Sequence, residues 1–124
     1  MPWKIYTNIY GSFYSRDFCM TDKIVVFSTC GSQEEARKLA GMLIEKRLAA
    51  CINITAPITS VYRWKGVVEE ANEWLLIIKS RREHFDGIRA ALEAAHSYEL
   101  PEVLAIPVLE GSPNYLAWLE AETK

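Results

Sequence analysis

The chain has 124 residues, 50% of them apolar and 24% charged, which suits a single domain with a core of modest size. A formal net charge of −2 does not indicate the excess of positive charge that is typical of proteins that bind nucleic acid or an anionic membrane surface. A membrane-spanning helix is not expected, because the chain has no stretch of about 20 consecutive apolar residues. The three cysteines lack C-x-x-C spacing, so neither a disulfide framework nor a zinc knuckle is indicated, and reduced thiols predict a cytoplasmic protein.

The first 19 residues differ in character from the rest of the chain. They hold six of its aromatic residues, follow no sustained apolar period, and lack the continuous apolar region of a signal peptide. A strand pattern begins shortly after Met20. We therefore expect residues 1–19 to be an N-terminal extension outside the fold and residues 20–124 to form the domain.

The first half of the domain predicts a strand, a helix and a second, interrupted strand. Residues 23–30 (KIVVFSTC) are largely β-branched and aromatic, which is typical of a buried strand. Ser32 and Glu35 match the S-x-x-E capping box, and apolar residues at helical spacing behind them predict a helix. Residues 50–64 indicate an extended stretch that is bent or bulged at Pro57, because proline cannot donate to a sheet ladder.

The second half predicts a strand, a helix and a further strand. A tight turn at residues 65–66 returns the chain into a strand that ends in the apolar run 74–78. Ser80 and Glu83 form a second capping-box pattern ahead of the next helical stripe. The connector HSYELPE (96–102) then leads into a third apolar run.

This order of elements, βαββαβ followed by a short helix after Ser112-Pro113, predicts an α+β fold. It is the ferredoxin-like arrangement, an antiparallel sheet with both longer helices on one face. The other face then stays open, and bulky apolar residues are expected to point towards it, including Val61, Trp64 and Trp74. A large exposed apolar face implies a partner, and self-association is the simplest solution.

Three sequence blocks carry a resemblance to a known family: RLAACINI at 47–54, TSVYRWKG at 59–66 and HSYELPE at 96–102. In this order, within a match from about residue 23 to residue 119, they resemble the CutA family of divalent-cation tolerance proteins. The resemblance implies a ferredoxin-like subunit assembled as a tight homotrimer, similar to PII signalling proteins. It also implies a link to tolerance of divalent metal ions, chiefly copper.

The chain departs from the family pattern at three places. The usual H-P-Y-E is H-S-Y-E at residues 96–99, and the frequent C-P-D is C-G-S at residues 30–32, so both loops lose a stiffening residue. Ala95 stands where some bacterial members carry a second histidine. A copper site built from one cysteine and two adjacent histidines would therefore be incomplete in this chain.

Cys30 and His96 are the candidate ligands for Cu(II) or another divalent cation, because copper favours thiolate and imidazole donors. In the predicted topology Cys30 ends the first strand and His96 ends the second helix. The two residues need not be adjacent within one subunit, although a trimer interface offers another way for them to meet. The alternative is that Cys30 is a small buried hydrophobe and that His96 only interacts with the last carbonyls of its helix.

HSYELPE also fits the wall of a cleft between subunits. Tyr98 and Glu99 belong to this connector, and residues from other elements are expected to join them: Tyr62, Trp64, Lys79 and Trp118. An interface pocket with aromatic walls and a few polar groups is the usual form of a small-ligand site. The alternative is that these residues only stabilise the trimer, since aromatic residues are common in interface cores.

Neither an enzyme nor an organic cofactor is expected. The chain has no nucleophile elbow, phosphate-binding loop or metalloprotease motif, and only two histidines. The sequence favours a trimeric cytoplasmic protein of the copper or divalent-cation tolerance type, with no nucleic acid or membrane partner. The alternative is a PII-like small-molecule sensor or trimeric scaffold in which metal binding is incidental.

Overall fold

The computed structural model describes residues 21–124 and, before them, the backbone of two short strands, β1 (Tyr6–Thr7) and β2 (Phe13–Tyr14), which pair antiparallel. The predicted boundary between residues 19 and 20 lies outside the described residues, so the extent of the N-terminal extension stays a prediction.

The elements of the domain follow one another as the sequence predicts, in the order βαββαβ with a final helix. They are β3 (Lys23–Cys30), α1 (Gln33–Glu45), β4 (Cys51–Ile54), β5 (Ile58–Trp64), β6 (Val67–Arg81), α2 (Phe85–Ala95), β7 (Leu104–Pro107) and α3 (Pro113–Glu122). A 3-10 turn, Arg82–His84, joins β6 to α2. The fold is therefore α+β, with an antiparallel sheet and three helices. Among the described residues, none of the helices is long and apolar enough to cross a membrane.

β6 is the central strand of the sheet. It pairs antiparallel with β3 on one side and with β4 on the other, and β7 adds to the outer side of β3, so the order is β4-β6-β3-β7. β3 ends at Cys30, opposite Trp74, whereas β6 begins seven residues earlier at Val67 and pairs there with β5. β5 and the first half of β6 therefore form a two-stranded arm.

Local residue chemistry accounts for the break and the turn in this arm. The extended stretch is interrupted at Pro57, between β4 and β5, as the missing N–H of proline predicts. The turn at Lys65 and Gly66 has positive φ angles of 50° and 84°, the signature of a tight hairpin turn. The predicted interruption and the predicted turn are both confirmed.

The core lies on one face of the sheet, between β3, β6, α1 and α2. Fully or nearly fully buried side chains from all four elements form one cluster: Ile24, Val26, Cys30, Ala36, Leu39, Leu43, Leu76, Ile78, Ile88 and Leu92. Burial of each large aliphatic side chain contributes about 1.5–3 kcal/mol. The alternation of β6 places Trp74 on this same face as Leu76 and Ile78, where it packs against the cluster. The expectation that Trp74 points to the uncovered face is therefore wrong.

The opposite face is partly covered by α3. Arg81 lies on that face and donates from Nε to the Thr123 hydroxyl at 2.9 Å and from Nη2 to the Thr123 carbonyl at 2.7 Å. Lys23, its partner across the β3–β6 ladder, donates to Glu120 at 2.6 Å. The terminal helix thus docks on the face that the topology argument left open, because its last turn supplies partners for two basic residues.

The two predicted capping boxes have different outcomes. Ser32 caps α1 and its hydroxyl accepts from the Glu35 N–H at 3.1 Å, as predicted. Ser80 caps no helix, because β6 continues to Arg81 and the buried Ser80 hydroxyl donates to the Leu48 carbonyl. The second capping-box prediction is wrong, because Ser80 is part of the strand β6 and is not at a helix start.

Candidate functional site

The connector after α2 is held in place by the ring of His96. His96 is the C-cap residue of α2, and its side chain is fully buried. Its Nδ1 lies 3.0 Å from the Tyr98 backbone nitrogen and accepts that N–H, so Nε2 carries the ring proton and donates to the Thr29 carbonyl at 2.8 Å. Both ring nitrogens of the neutral imidazole are therefore engaged inside the chain.

Ser97 replaces the proline of the family pattern and stabilises the same connector by hydrogen bonds. Its N–H donates to Glu35 Oε2 at 2.8 Å and its hydroxyl donates to Glu35 Oε1 at 2.9 Å. Proline has no N–H and no hydroxyl, so it can make neither bond. The expected loosening of this connector does not follow, because Glu35 at the start of α1 anchors it.

Cys30 is buried at the end of β3, and its thiol donates to the Ser32 carbonyl at 3.4 Å. Burial raises the pKa of this thiol above its usual value, and the nearby carboxylates of Glu35 and Glu73 raise it further, against a lowering by the Ser32 bond. A protonated thiol is a poor metal ligand, because thiolate is the coordinating form.

The two predicted metal ligands are thus brought close to each other within one chain, since His96 binds the carbonyl of the residue before Cys30. The predicted topology did not require this proximity. Their donor atoms are committed to internal hydrogen bonds, however, and among residues 21–124 no group of three His, Cys, Asp or Glu side chains is arranged to hold a metal ion. The metal role of Cys30 and His96 stays a prediction.

Beyond His96, the connector borders a cleft of about 780 Å³ between itself and the β5–β6 arm. Four of the six predicted cleft residues line it: Tyr62, Trp64, Tyr98 and Glu99. Its other lining residues are Thr29, Ser60, Val61, Arg63, Glu73, Ser97, Leu100 and Glu102. The size and the aromatic wall are those of a small-ligand site.

Lys79 and Trp118, the other two predicted cleft residues, lie elsewhere. Lys79 is six residues beyond Glu73 on β6, a distance of about 20 Å at the rise of a strand. Its Nζ lies 4.0 Å from the Cys51 sulfur. Trp118 packs against Tyr115 on α3, with ring centroids 5.5 Å apart. The structure therefore does not bring these two residues to the cleft of this chain.

Glu73 is one of the cleft residues that sequence reasoning missed, and it is almost completely buried. It is only 7% exposed, and its Oε2 accepts the Tyr98 hydroxyl at 2.7 Å. Burial and this carboxylate raise the pKa of Tyr98 well above its usual value, so the phenol stays a hydrogen-bond donor. Alternation with Leu75 and Ile77 was the available signal, because it places Glu73 in line with the partly buried side chains of β6.

Gly31, the second departure from the family pattern, allows the close approach of Tyr98. A Cβ atom at Gly31 would lie 3.3 Å from the Tyr98 hydroxyl oxygen, a contact that few side chains adopt. The glycine therefore leaves room for the phenol to reach Glu73.

The cleft is acidic. Among the described residues, three carboxylates, those of Glu73, Glu99 and Glu102, line it with a single guanidinium, that of Arg63. Burial and the Glu73 charge raise the pKa of Glu102. At the rim, the Lys65 ammonium lies 3.9 Å from a Glu99 oxygen and 5.5 Å from the centroid of the Trp64 ring. The lining thus favours cations over anions.

Comparison with known proteins relates the chain to one family. A family profile described as CutA1 divalent ion tolerance protein matches residues 24–122. The chain is 44% identical over 99 residues to the divalent-cation tolerance protein CutA of Thermus thermophilus, covering 80% of this chain and 96% of that protein. It is 43% identical over 101 residues to the chloroplastic protein CutA of Arabidopsis thaliana, covering 82% of this chain but only 56% of that longer protein.

Solved structures give the same relationship. CutA from Xylella fastidiosa superposes with a TM-score of 0.82 at 36% identity, covering 84% of this chain and 100% of that one. The periplasmic divalent cation tolerance protein CutA from Archaeoglobus fulgidus superposes with a TM-score of 0.80 at 39% identity, covering 82% of this chain and 99% of that one.

Proposed function

Since the chain belongs to the CutA1 divalent ion tolerance family, we propose that it acts in tolerance of divalent metal ions by binding a cation in the cleft between its connector and its β5–β6 arm. The single observation that carries this proposal is the buried carboxylate of Glu73, held by Tyr98 inside an acidic cleft. A buried carboxylate without a cationic partner is costly, and a bound cation offsets that cost.

The proposal includes a ferredoxin-like subunit in a PII-like homotrimer. Two features of the described chain support self-association. Among residues 21–124, β7 pairs only with β3, which leaves its outer edge open, and all four of its residues are exposed. The β5–β6 arm carries further exposed valines, Val61, Val67 and Val68. An open edge beside exposed apolar residues is a surface that proteins cover with another strand.

Copper is the metal that the family resemblance favours, and the cytoplasm is the location that we propose. The free thiols of Cys30 and Cys51 support a reducing compartment. Copper ligation by His96 would require the ring to give up the Tyr98 N–H or the Thr29 carbonyl. We propose no catalytic role, because the same two bonds leave His96 no nitrogen with which to act as a base.

The second candidate function is a PII-like small-molecule sensor or scaffold with incidental metal binding. The aromatic wall of Tyr62, Trp64 and Tyr98 favours it, because such walls are typical of sites for organic ligands. The carboxylates of the cleft restrict this candidate to a cationic or neutral ligand.

Native mass spectrometry of the full chain, alone and with Cu(II) or Mn(II), tests the function. We expect a trimer that takes up one divalent cation per subunit. Absence of any divalent cation in the trimer, combined with quenching of tryptophan fluorescence by an aromatic amine, would favour the sensor instead.

A further inference from the structure

We propose that Cys51 and Lys79 form a peroxide-responsive pair, in which oxidation of the Cys51 thiol by hydrogen peroxide leads to a reversible covalent bond between its sulfur and the Lys79 side-chain nitrogen. The inference goes beyond the proposed function and does not rest on it, because neither residue lines the cleft. It assigns a modification site to two side chains that the proposed cation site does not use.

The sheet holds these two side chains next to each other. Cys51 of β4 and Lys79 of β6 lie directly opposite each other in an antiparallel ladder, so both side chains leave the same face of the sheet. Lys79 Nζ lies 4.0 Å from the Cys51 sulfur. The long and flexible side chain of lysine allows the nitrogen to close the remaining gap without any change in the strand register.

Lys79 has no acidic partner in the part of the chain that the structure describes. It is half-buried, and within residues 21–124 the Cys51 thiol is the one polar side chain within hydrogen-bond distance of its nitrogen. A lysine that is taken partly out of water is usually paired with a carboxylate or keeps its ammonium in solvent. The position of this nitrogen beside the sulfur therefore serves no ion pair of the described fold.

The surroundings of the Cys51 sulfur favour its oxidation. Tyr115 of α3 faces this sulfur: burial, the charge of a Cys51 thiolate and a side-chain hydrogen bond to Cys51 raise the pKa of Tyr115. A phenol and an ammonium beside a sulfur both stabilise a thiolate, which is the form that peroxides oxidise. Cys51 is also only half-buried, so a small oxidant reaches it. Cys30 differs, because it is completely buried and burial raises the pKa of its thiol.

The chemistry takes two balanced steps. The Cys51 thiolate attacks one oxygen of hydrogen peroxide, the O–O bond breaks, and Cys51 becomes a sulfenic acid while the other oxygen leaves as hydroxide and takes up the proton that the thiol released. An electron pair thus passes from sulfur to the peroxide. The Lys79 ammonium then loses a proton to water, and its amine attacks the sulfenic sulfur. The S–O bond breaks, water leaves, and a sulfenamide bond joins sulfur to nitrogen.

A thiol reverses this modification. It attacks the sulfenamide sulfur, the S–N bond breaks, and the Lys79 amine regains its proton. The mixed disulfide that remains on Cys51 is reduced by a second thiol. The pair therefore responds to peroxide and recovers in a reducing compartment, and the sulfenamide keeps the sulfur from the irreversible sulfinic and sulfonic acids.

Treatment of the full chain with hydrogen peroxide, followed by proteolysis and tandem mass spectrometry, tests the pair. The expected product joins the peptides of Cys51 and Lys79, has their summed mass less one molecule of hydrogen, and disappears after treatment with dithiothreitol. Lys79→Arg keeps the positive charge but removes the primary amine, so the yield of this product should fall at least about tenfold and Cys51 should accumulate as sulfinic acid.

Two control variants accompany this experiment, and circular dichroism of each variant checks folding. Lys65→Arg makes the same change at a lysine that lies beside Trp64 and Glu99, so it should leave the yield of the cross-link unchanged. Cys30→Ser should also retain the cross-link, because Cys30 takes no part in it.

The wild-type chain alone is enough to overturn the proposal. Oxidation of Cys51 to a sulfinic acid or a disulfide, without any peptide that joins it to Lys79, would do so. A yield that falls as much in Lys65→Arg as in Lys79→Arg would also contradict the pair. Neither result bears on the cation proposed for the cleft, because metal uptake by the trimer tests that proposal separately.

Discussion

At the scale of the residue, the Tyr98 hydroxyl stabilises the buried carboxylate of Glu73 by a hydrogen bond. Glu73 is almost completely buried, and the Tyr98 hydroxyl is its hydrogen-bond donor among the described residues. A hydrogen bond to a charged group contributes about 1.5–3 kcal/mol, and its loss leaves a desolvated carboxylate behind. The position of Tyr98 depends in turn on His96 and on Gly31.

Tyr98→Phe removes this bond with almost no change in side-chain volume. We expect the free energy of unfolding to fall by about 1.5 kcal/mol or more, measured by urea denaturation at neutral pH. Tyr62→Phe is the matched control, because Tyr62 lines the same cleft, is 42% exposed and makes no hydrogen bond through its hydroxyl among the described residues. Equal stabilities of the two variants would contradict the role of the Tyr98 hydroxyl.

The ion pair of Glu120 with Lys23 predicts a pH effect. The hydrogen bond and the charge of Lys23 lower the pKa of Glu120 below its usual value of 4.5. The ionised carboxylate therefore stabilises the folded chain above about pH 4.5, and this contribution is lost as the pH falls through the lowered value. Stability of Glu120→Gln, followed by thermal unfolding between pH 3 and 7, should fall less steeply with acid than that of the wild type. An equally steep loss of stability at low pH in the wild type and in Glu120→Gln would contradict the ion pair.

At the scale of the element, three serines at predicted helix starts have different roles in the structure. Ser32 caps α1 through its hydroxyl, whereas Ser112 occupies the N-cap position of α3 without a side-chain cap bond. α3 begins with Pro113, whose ring lacks one of the N–H groups that a cap would satisfy. Ser80 belongs to a strand. The contribution of the serine side chain to the free energy of unfolding therefore differs among these three positions.

Ser32→Ala tests the cap of α1. We expect a loss of about 1 kcal/mol in the free energy of unfolding, the usual cost of an N-cap hydroxyl, measured by urea denaturation. Ser112→Ala makes the same chemical change at a helix start without the bond, so it should cost only a few tenths of a kcal/mol. A Ser112→Ala variant as unstable as Ser32→Ala would show that the cap bond is not the cause.

At the scale of the whole molecule, the outer edge of β7 has no partner strand among the described residues. Leu104 and Ile106 are 62% and 49% exposed on this edge strand, and both lie on the face opposite α1 and α2. Natural proteins protect such edges by covering them or by placing charges on them. β7 carries no charged residue, so cover by a second copy fits it better.

Ile106→Lys places a charge on this edge. We expect subunit association to weaken at least about tenfold, because a lysine on an edge strand opposes pairing with another strand. Size-exclusion chromatography with light scattering, over a dilution series of the full chain, measures the oligomer. Ile44→Lys is the control, since Ile44 is 40% exposed and lies on the helix α1, outside β7. A trimer that persists in Ile106→Lys as it does in Ile44→Lys would contradict this interface.

The sequence by itself determined the features that depend on near neighbours. The bounds of β3, the Ser32 cap, the interruption at Pro57 and the turn at residues 65–66 all follow from a few consecutive side chains and their backbone preferences. Four of the six predicted cleft residues line the cleft of this chain for a related reason. These four residues lie in two short segments, one strand and one connector, and the sequence predicted both segments from their local patterns.

Only the tertiary structure decided the features that depend on pairing over long separations. The His96 ring binds a carbonyl 67 positions away, and Tyr98 binds a carboxylate 25 positions away. Strand pairing also placed Ser80 in β6 and turned Trp74 towards the core. The helix and strand propensities of single residues differ by about 1 kcal/mol or less. Strand pairing and core burial stabilise the fold by more, because they involve many groups at once. Packing therefore overrides the local signal wherever the two conflict, and it alone brings Thr29, Glu73 and Glu102 to one cleft.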